Sequence, residues 1–177
     1  MKYLVVSDLH GSEYYYDKLE AILKIEQPNK LIMLGDFFSQ YNKNEKVYDF
    51  LERYRDIIVG IRGNCDFDYD NTIINLKDSL ELFINDKRFF FTHGHKYSLS
   101  NIEKDIDVFV FGHLHTGFIK FKDHILSVNS GSLAFPRQGT INSYLVIDDI
   151  SIKLMGIDNE IIDEFYFDWM WLYEKYR

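Results

Sequence analysis

The chain has 177 residues, of which 46% are hydrophobic and 17% aromatic, so it carries enough apolar material for the core of one domain over residues 1–177. Its net charge of −8 argues against long nucleic acid as a partner, because contacts with phosphates need a basic face. The one cysteine, Cys65, cannot form an internal disulfide, and neither a signal peptide nor an apolar run of about 18 residues is present, so we expect a cytoplasmic protein with no membrane partner.

Strands and helices alternate in the first third of the sequence. Apolar runs predict strands over residues 3–7, 31–34 and 57–61. Between them, Ser12 caps a predicted helix that ends before Pro28, and a second short helix follows at residues 47–54. The apolar face of the first helix is expected to consist of Tyr15, Leu19, Ile22 and Leu23. This alternation predicts parallel β-α-β units.

The rest of the sequence favours antiparallel hairpins. Paired strands with short polar turns are predicted at residues 80–84 and 88–92, 118–121 and 125–128, and 143–147 and 150–155. Single strands are predicted at 107–111 and 161–167, and helices at 169–176 and after Ser100, which has Glu103 three residues later as in a capping box. The simplest assembly is an α/β fold of two packed sheets with helices on their outer faces.

Side chains of the types that bind metals follow the apolar runs at five points. They are two carboxylates, one amide and four imidazoles, each in a turn beside glycine or another small residue: Asp8, His10, Asp36, Asn64, His93, His113 and His115. Because ligands gather at the carboxyl ends of strands in open α/β sheets, we expect these donors to share one cavity. They suit divalent Mn, Fe, Ni or Zn, whereas a cysteine-rich structural zinc site is excluded.

The pair His113 and His115 indicates how many ions the cavity holds. On an extended chain, residues two apart point to the same side with Cα atoms about 6.5 Å apart. That spacing is wide for one ion and suits two ions held about 3.5–4 Å apart. One bridging carboxylate would leave three donors for each ion. The alternative is a pair of polar loop residues, or a relic site that no longer binds metal.

The five blocks of residues also carry a family resemblance. They are Ser7-Asp8-Leu9-His10, Gly35-Asp36, Gly63-Asn64-Cys65-Asp66, Thr92-His93-Gly94-His95 and Gly112-His113-Leu114-His115. In order and spacing they resemble the calcineurin-like metallophosphoesterase family, and in particular its small bacterial and archaeal phosphodiesterase branch, the YfcE type. The resemblance covers the chain from Tyr3 to about Asp148.

This resemblance implies a fold and a division of the ligands between two ions. The fold would be a four-layer αββα sandwich of two mixed sheets flanked by helices. Asp8, His10 and His115 would hold one metal, and Asn64, His93 and His113 the other. Asp36 would bridge them. Mn²⁺ is the metal that the resemblance favours, with Zn²⁺, Ni²⁺ and Fe²⁺ as alternatives.

Four residues of these blocks are candidates for catalysis: Asn64, Cys65, Asp66 and His95. Many relatives have a histidine, taken as the general acid, where this chain has Cys65, as is usual in the YfcE-type branch. Asn64, Cys65 and His95 are expected to contact the substrate, and Asp66 to brace the loop or a histidine. For His95, orienting a ligand and simple packing stay open as alternatives.

The function that follows is a binuclear-metal-dependent phosphodiesterase that hydrolyses small phosphodiesters through a metal-bridging hydroxide. Two alternatives are a phosphomonoesterase and a non-catalytic scaffold on the same fold, like the small retromer subunit. The aromatic C-terminal segment, which includes Phe165, Phe167, Trp169 and Trp171, predicts a homodimer or homotetramer because exposed apolar patches mark contacts.

Overall fold

The computed structural model of the chain describes residues 1–38, 45–67, 74–103, 105–122 and 124–167. Within these ranges the chain forms two helices and eleven strands. The helices are α1 (Glu13–Glu26) and α2 (Glu45–Arg53). The strands are β1 (Tyr3–Val6), β2 (Lys30–Met33), β3 (Ile58–Gly60), β4 (Ser79–Ile84), β5 (Lys87–Thr92), β6 (Val108–Phe111), β7 (Phe118–Lys122), β8 (Ile125–Asn129), β9 (Ser143–Ile147), β10 (Ser151–Gly156) and β11 (Ile161–Tyr166).

The described strands assemble into two mixed sheets. The first has the order β11-β10-β9-β1-β2-β3, in which β1, β2 and β3 are parallel and β9 runs antiparallel to β1. The second has the order β4-β5-β6-β8-β7, with β5, β6 and β8 parallel. The prediction that the later half pairs as antiparallel hairpins was therefore incomplete. The β7–β8 hairpin pairs with β6 through its second strand, which makes the centre of the second sheet parallel.

Three apolar clusters hold the layers together. One lies between the helices and the first sheet, and it includes Leu4, Leu19 and Phe50. A second fills the space between the two sheets with side chains such as Val5, Phe91 and Val110. These two clusters use alternate residues of β1, as the two faces of one strand require. The predicted α/β sandwich of two mixed sheets is confirmed, and both described helices pack outside the first sheet.

The helix α1 differs from its prediction in one detail. Its buried side chains are Tyr16, Leu19, Ile22 and Leu23, so Tyr16 replaces Tyr15 in the core. Tyr16 can be buried because its hydroxyl has a partner in the core: it donates a hydrogen bond to the carbonyl of Phe37, at 3.1 Å. Ser12 is the N-cap residue as predicted, but only its backbone carbonyl takes part in the cap.

The predicted helix after Ser100 is wrong for the residues that the structure describes. The outer face of the second sheet is covered instead by a turn-rich segment, whose Tyr97, Leu99 and Ile102 pack on Phe90 and Phe109. The side chain of Asn101 accepts from the N–H of Ser98 and so stabilises a turn where the capping box was expected. The predicted helix at 169–176 lies outside the described residues. Among the described helices, none is long and apolar enough to cross a membrane.

Candidate metal centre

The seven candidate ligands lie at one end of the sandwich. In the first sheet, Asp8 and His10 follow β1, Asp36 follows β2 and Asn64 follows β3. In the second sheet, His93 follows β5, while His113 and His115 follow β6. Since β1, β2 and β3 are parallel, as are β5 and β6, the carboxyl ends of the strands in each sheet point the same way.

The loops that carry these ligands are fastened to each other by main-chain hydrogen bonds. The N–H of Asp8 donates to the carbonyl of Gly35, and the N–H of His10 donates to that of Asp36. Across the sheets, the N–H of His113 donates to Oδ2 of Asp8 at 3.0 Å. The ligand positions are therefore fixed by the fold before any ion binds.

Five of the seven candidates have a positive φ, between 48° and 63°: Asp8, His10, Asp36, His113 and His115. This left-handed conformation is uncommon for residues other than glycine, and such strain concentrates at functional sites. The prediction that residues 113–115 are extended was accordingly wrong, because both histidines lie in a left-handed turn. Gly112 lets this turn approach the residues after β1 closely, since a Cβ there would clash with Oγ of Ser7.

Two backbone carbonyls fix the orientation of two imidazoles. Nδ1 of His115 lies 2.7 Å from the carbonyl oxygen of Phe135, and Nδ1 of His93 lies 2.6 Å from that of Leu34. A carbonyl only accepts, so each Nδ1 must carry the proton. In the neutral ring Nε2 then keeps its lone pair, which is the form that ligates a metal. Both Nε2 atoms face the carboxylates of the site.

The contact of His115 with Asp8 tests whether these residues fit a metal. Oδ1 of Asp8 is fully buried and accepts no hydrogen bond from the described residues. It lies 3.2 Å from Nε2 of His115 and 3.9 Å from Nε2 of His10, and these two Nε2 atoms are 3.4 Å apart. An orphaned carboxylate oxygen and two imidazole nitrogens so close together would be stabilised by a cation between them. A divalent ion fits this donor set.

Asp36 lies between imidazoles of the two sheets. Its Oδ2 is 3.7 Å from Nε2 of His10 and 3.5 Å from Nε2 of His93. Its Oδ1 accepts the N–H of Cys65 at 2.8 Å. Oδ1 of Asn64 lies 3.0 Å from Nε2 of His93, while the amide nitrogen of Asn64 donates to Sγ of Cys65. Asp36 therefore faces donors on both sides.

Among the described residues, three groups of donor atoms lie within 4.8 Å of one another: Asp8 with His10 and His115, His10 with Asp36 and Cys65, and Asp8 with Asp36 and His93. Because the groups share members, neighbouring cation positions are available in one cluster. The ligand sets implied by the family resemblance did not include Cys65, whose thiol belongs to one of these three groups.

Two histidines lie beside this cluster without belonging to those groups. The ring centroid of His113 is 5.0 Å from that of His93, edge to face, and that of His95 is 5.2 Å from it. Nδ1 of His95 is buried without a hydrogen-bond partner among the described residues. The structure thus brings both predicted residues to the cluster, with imidazole nitrogens still available.

The charges of the site favour a bound cation. Burial alone would raise the pKa of Asp8, but His115, His93 and Ser7 hold it below its usual value. Burial lowers the pKa of His10, of His95 and of His113. His115 is the exception: burial opposes its protonation, but the neighbouring Asp8 carboxylate raises its pKa above the usual value. Protons and divalent ions would therefore compete for the position between His115 and Asp8.

Asp66 supports the loops of the site from behind. Its Oδ2 accepts the N–H groups of Asp36 and Gly63, and its Oδ1 accepts the N–H of Phe37, all at 2.8 Å. Burial raises the pKa of Asp66 to about 6 against these three bonds. The thiol of Cys65 faces Asp36, and burial together with that carboxylate raises its pKa to about 12.

Sequence reasoning missed the residues that brace the histidine loops. The side-chain amide of Asn129 donates to the carbonyl of Gly112 at 2.7 Å. The hydroxyl of Ser132 donates to the carbonyl of Asp8 and accepts the N–H of Phe135, both at 2.8 Å. The segment Asn129-Ser130-Gly131-Ser132 was the available signal, because buried polar residues after a strand need hydrogen-bond partners.

Comparisons with known proteins agree with this geometry. Residues 1–150 match the model of the calcineurin-like phosphoesterase superfamily domain. The phosphodiesterase YfcE of Escherichia coli is 25% identical over 175 residues, which cover 92% of this chain and 95% of that protein. Its solved structure superposes with a TM-score of 0.85, covering 93% of this chain and 98% of the other. A probable metallophosphoesterase of Methanocaldococcus jannaschii is 27% identical, over 87% of this chain and 80% of its own.

Structures of Vps29 share the fold at lower identity. Vps29 of Entamoeba histolytica complexed with zinc is 17% identical, covers 95% of this chain and 100% of its own, and has a TM-score of 0.61. At this identity the likeness concerns the fold alone.

Proposed function

The chain belongs to the calcineurin-like phosphoesterase superfamily, and we propose that it is a metal-dependent phosphodiesterase acting on small phosphodiesters at a centre of two divalent ions. The observation that carries this proposal is the position of Asp36, whose Oδ2 lies between Nε2 of His10 at 3.7 Å and Nε2 of His93 at 3.5 Å. A carboxylate with imidazoles on both sides is suited to bridging two ions.

Each proposed ligand set combines donors from both sheets. Asp8, His10 and His115 would hold one ion. Asn64, His93 and His113 would hold the other, with Asp36 shared. Divalent ions supply the Lewis acidity that phosphodiester hydrolysis needs, by lowering the pKa of water and neutralising phosphate oxygens. We propose Mn²⁺ as the working metal, with Zn²⁺, Ni²⁺ and Fe²⁺ as alternatives.

The chain's own residues prepare the site for this reaction. The carbonyls of Phe135 and Leu34 place the proton of the neutral His115 and His93 rings on Nδ1, which leaves Nε2 of each neutral ring to ligate. Asp66 accepts N–H groups from the loop after β2 and from the loop after β3. These bonds hold the backbone of Asp36 in place. Such preorganisation means that little reorganisation is needed when substrate binds.

Asn64, Cys65 and His95 are the proposed contacts of the substrate. Asn64 is exposed, and its amide faces Sγ of Cys65, at the open side of the cluster. Nδ1 of His95 lacks a partner among the described residues and would serve as a phosphate contact or a proton donor. A cysteine thiol surrounded by carboxylates is a poor general acid, so diesters with stable leaving groups should react fastest.

The experiment that tests the proposal is an assay of metal-stripped protein reconstituted with Mn²⁺, Zn²⁺, Ni²⁺ or Mg²⁺. Bis(p-nitrophenyl) phosphate and p-nitrophenyl phosphate serve as matched diester and monoester. We expect turnover of the diester to exceed that of the monoester and to need added metal. A faster monoester reaction would identify a phosphomonoesterase instead. The absence of metal-dependent turnover would favour a non-catalytic scaffold.

Metal content by itself does not separate the enzyme from the scaffold, because one Vps29 structure is complexed with zinc. The turnover measurement is therefore the necessary one. We further propose that residues 1–177 act as a single cytoplasmic domain, and that the chain forms a homodimer or homotetramer. Light scattering at high protein concentration tests the assembly, and a monomeric mass would contradict it.

A further inference from the structure

Phe135 presents an aromatic ring to solvent beside the metal centre. Its side chain is 48% exposed, although it is a large apolar group. The centroid of its ring lies 5.7 Å from that of His10, which belongs to the donor group with Asp8 and His115. The ring therefore stands next to the place where a substrate's phosphate would meet the ions.

The backbone of Phe135 is held more firmly than an exposed loop residue requires. Its N–H donates to Oγ of Ser132 at 2.8 Å, and that hydroxyl donates to the carbonyl of Asp8. Its carbonyl accepts Nδ1–H of His115 at 2.7 Å. One residue is thus tied to two candidate ligands of the same ion. The position of its ring relative to the centre is set by the bonds that orient the ligands.

A second ring contacts that of Phe135. Tyr15 meets Phe135 edge to face, with centroids 6.4 Å apart. Tyr15 is the residue that the sequence assigned to the core and that the structure leaves half-buried, with Tyr16 in its place. The helix α1 therefore directs Tyr15 towards the surface beside Phe135.

We propose that Phe135 is a binding platform for an aromatic arm of the substrate, such as an aryl group or a nucleobase esterified to the phosphate. This inference rests on the proposed function, because the centre would hold the phosphate while the ring stacks on the arm. A platform fixed in advance loses little conformational entropy on binding, so the contact adds directly to affinity. Stacked aromatic pairs gain affinity beyond the burial of apolar surface.

The test compares two ligands that share an anionic group and cannot be hydrolysed. Phenylphosphonate and methylphosphonate are titrated calorimetrically into protein loaded with Mn²⁺. We expect phenylphosphonate to bind the wild type about tenfold more tightly, from the stacking energies of aromatic pairs. Phe135→Ala should bring this ratio close to one and leave methylphosphonate affinity unchanged, because the main-chain bonds of residue 135 stay. Phe135→Tyr should preserve the ratio.

The control variant is Phe83→Ala, which removes an exposed phenylalanine (73% exposed) from the edge strand β4. It should leave the ratio unchanged. A wild-type ratio near one, a ratio that survives Phe135→Ala, or no binding of either ligand would overturn the proposal. A change in oligomeric mass with an unchanged ratio would also overturn it, since the ring would then be a subunit contact. The ratio is an equilibrium quantity, so it is decided separately from whether diesters are hydrolysed.

Discussion

Removing the carboxylate of Asp66 should destabilise the whole domain as well as its metal centre. Three buried N–H groups, those of Asp36, Phe37 and Gly63, donate to this one side chain at 2.8 Å. In Asp66→Ala all three donors lose their acceptor at once. A buried donor left without a partner costs about 1–3 kcal/mol, and water entering the small space recovers part of that cost. We therefore expect a loss of about 3–5 kcal/mol in the free energy of unfolding, out of a total of about 5–15 kcal/mol.

Asp66→Asn provides a graded comparison. Its one carbonyl oxygen can replace Oδ2, which accepts two of the three bonds, while its NH₂ group faces the third donor. The expected loss is about 1–3 kcal/mol, roughly one unsatisfied donor. Urea unfolding followed by fluorescence measures both values. Asp78→Asn serves as the control, because Asp78 makes an exposed ion pair with Lys96 that contributes less than about 1 kcal/mol. Equal small losses for the three variants would refute the role of Asp66.

Three further substitutions test separate parts of the site. Gly112→Ala makes a Cβ clash with Oγ of Ser7, so bound Mn²⁺ measured by elemental analysis should fall markedly. Gly139→Ala adds the backbone strain of a positive φ (76°) but places its Cβ near no other atom, so it should keep its metal. Ser132→Ala leaves buried N–H groups without an acceptor, so urea unfolding should show a loss of about 1–3 kcal/mol; an unchanged midpoint would contradict that reasoning. Cys65→His supplies a proton donor, and general acid catalysis typically raises the rate by about 10²–10⁴-fold. Initial rates on diesters should therefore rise more for alkyl than for aryl leaving groups. Equal increases for both would argue against a missing proton donor at this position.

The periodicity of the sequence was sufficient to predict most strands, because the apolar residues of a buried strand form short runs bounded by turns. It did not predict the pairing of β8 with β6, since which strand of a hairpin reaches a neighbour depends on contacts distant in sequence. It also predicted a helix after Ser100 from a local capping pattern, where packing on Phe90 and Phe109 favours turns. Sequence patterns of a few residues do not predict a structure that depends on tertiary contacts.

The candidate ligands were all brought to one end of the fold, but their orientation had no signal in the sequence. His115 depends on the carbonyl of Phe135, and main-chain acceptors carry no residue-specific signature. The positive φ of Asp8 and of His113 likewise occurs where loops of the two sheets meet, with the N–H of His113 donating to Oδ2 of Asp8. Asp66 was the exception, since its expected bracing role matches the three N–H groups that it accepts.

The measurement that tests the central claim most directly is a titration of metal-stripped protein with Mn²⁺, in which bound metal and turnover of bis(p-nitrophenyl) phosphate are recorded on the same samples. We predict that turnover appears with the second equivalent of bound metal per chain and then levels off. Asp36→Asn, which removes the shared carboxylate oxygen, should bind at most one equivalent and show almost no turnover. Full activity at one equivalent, or two equivalents with normal activity in Asp36→Asn, would contradict a centre of two ions bridged by Asp36.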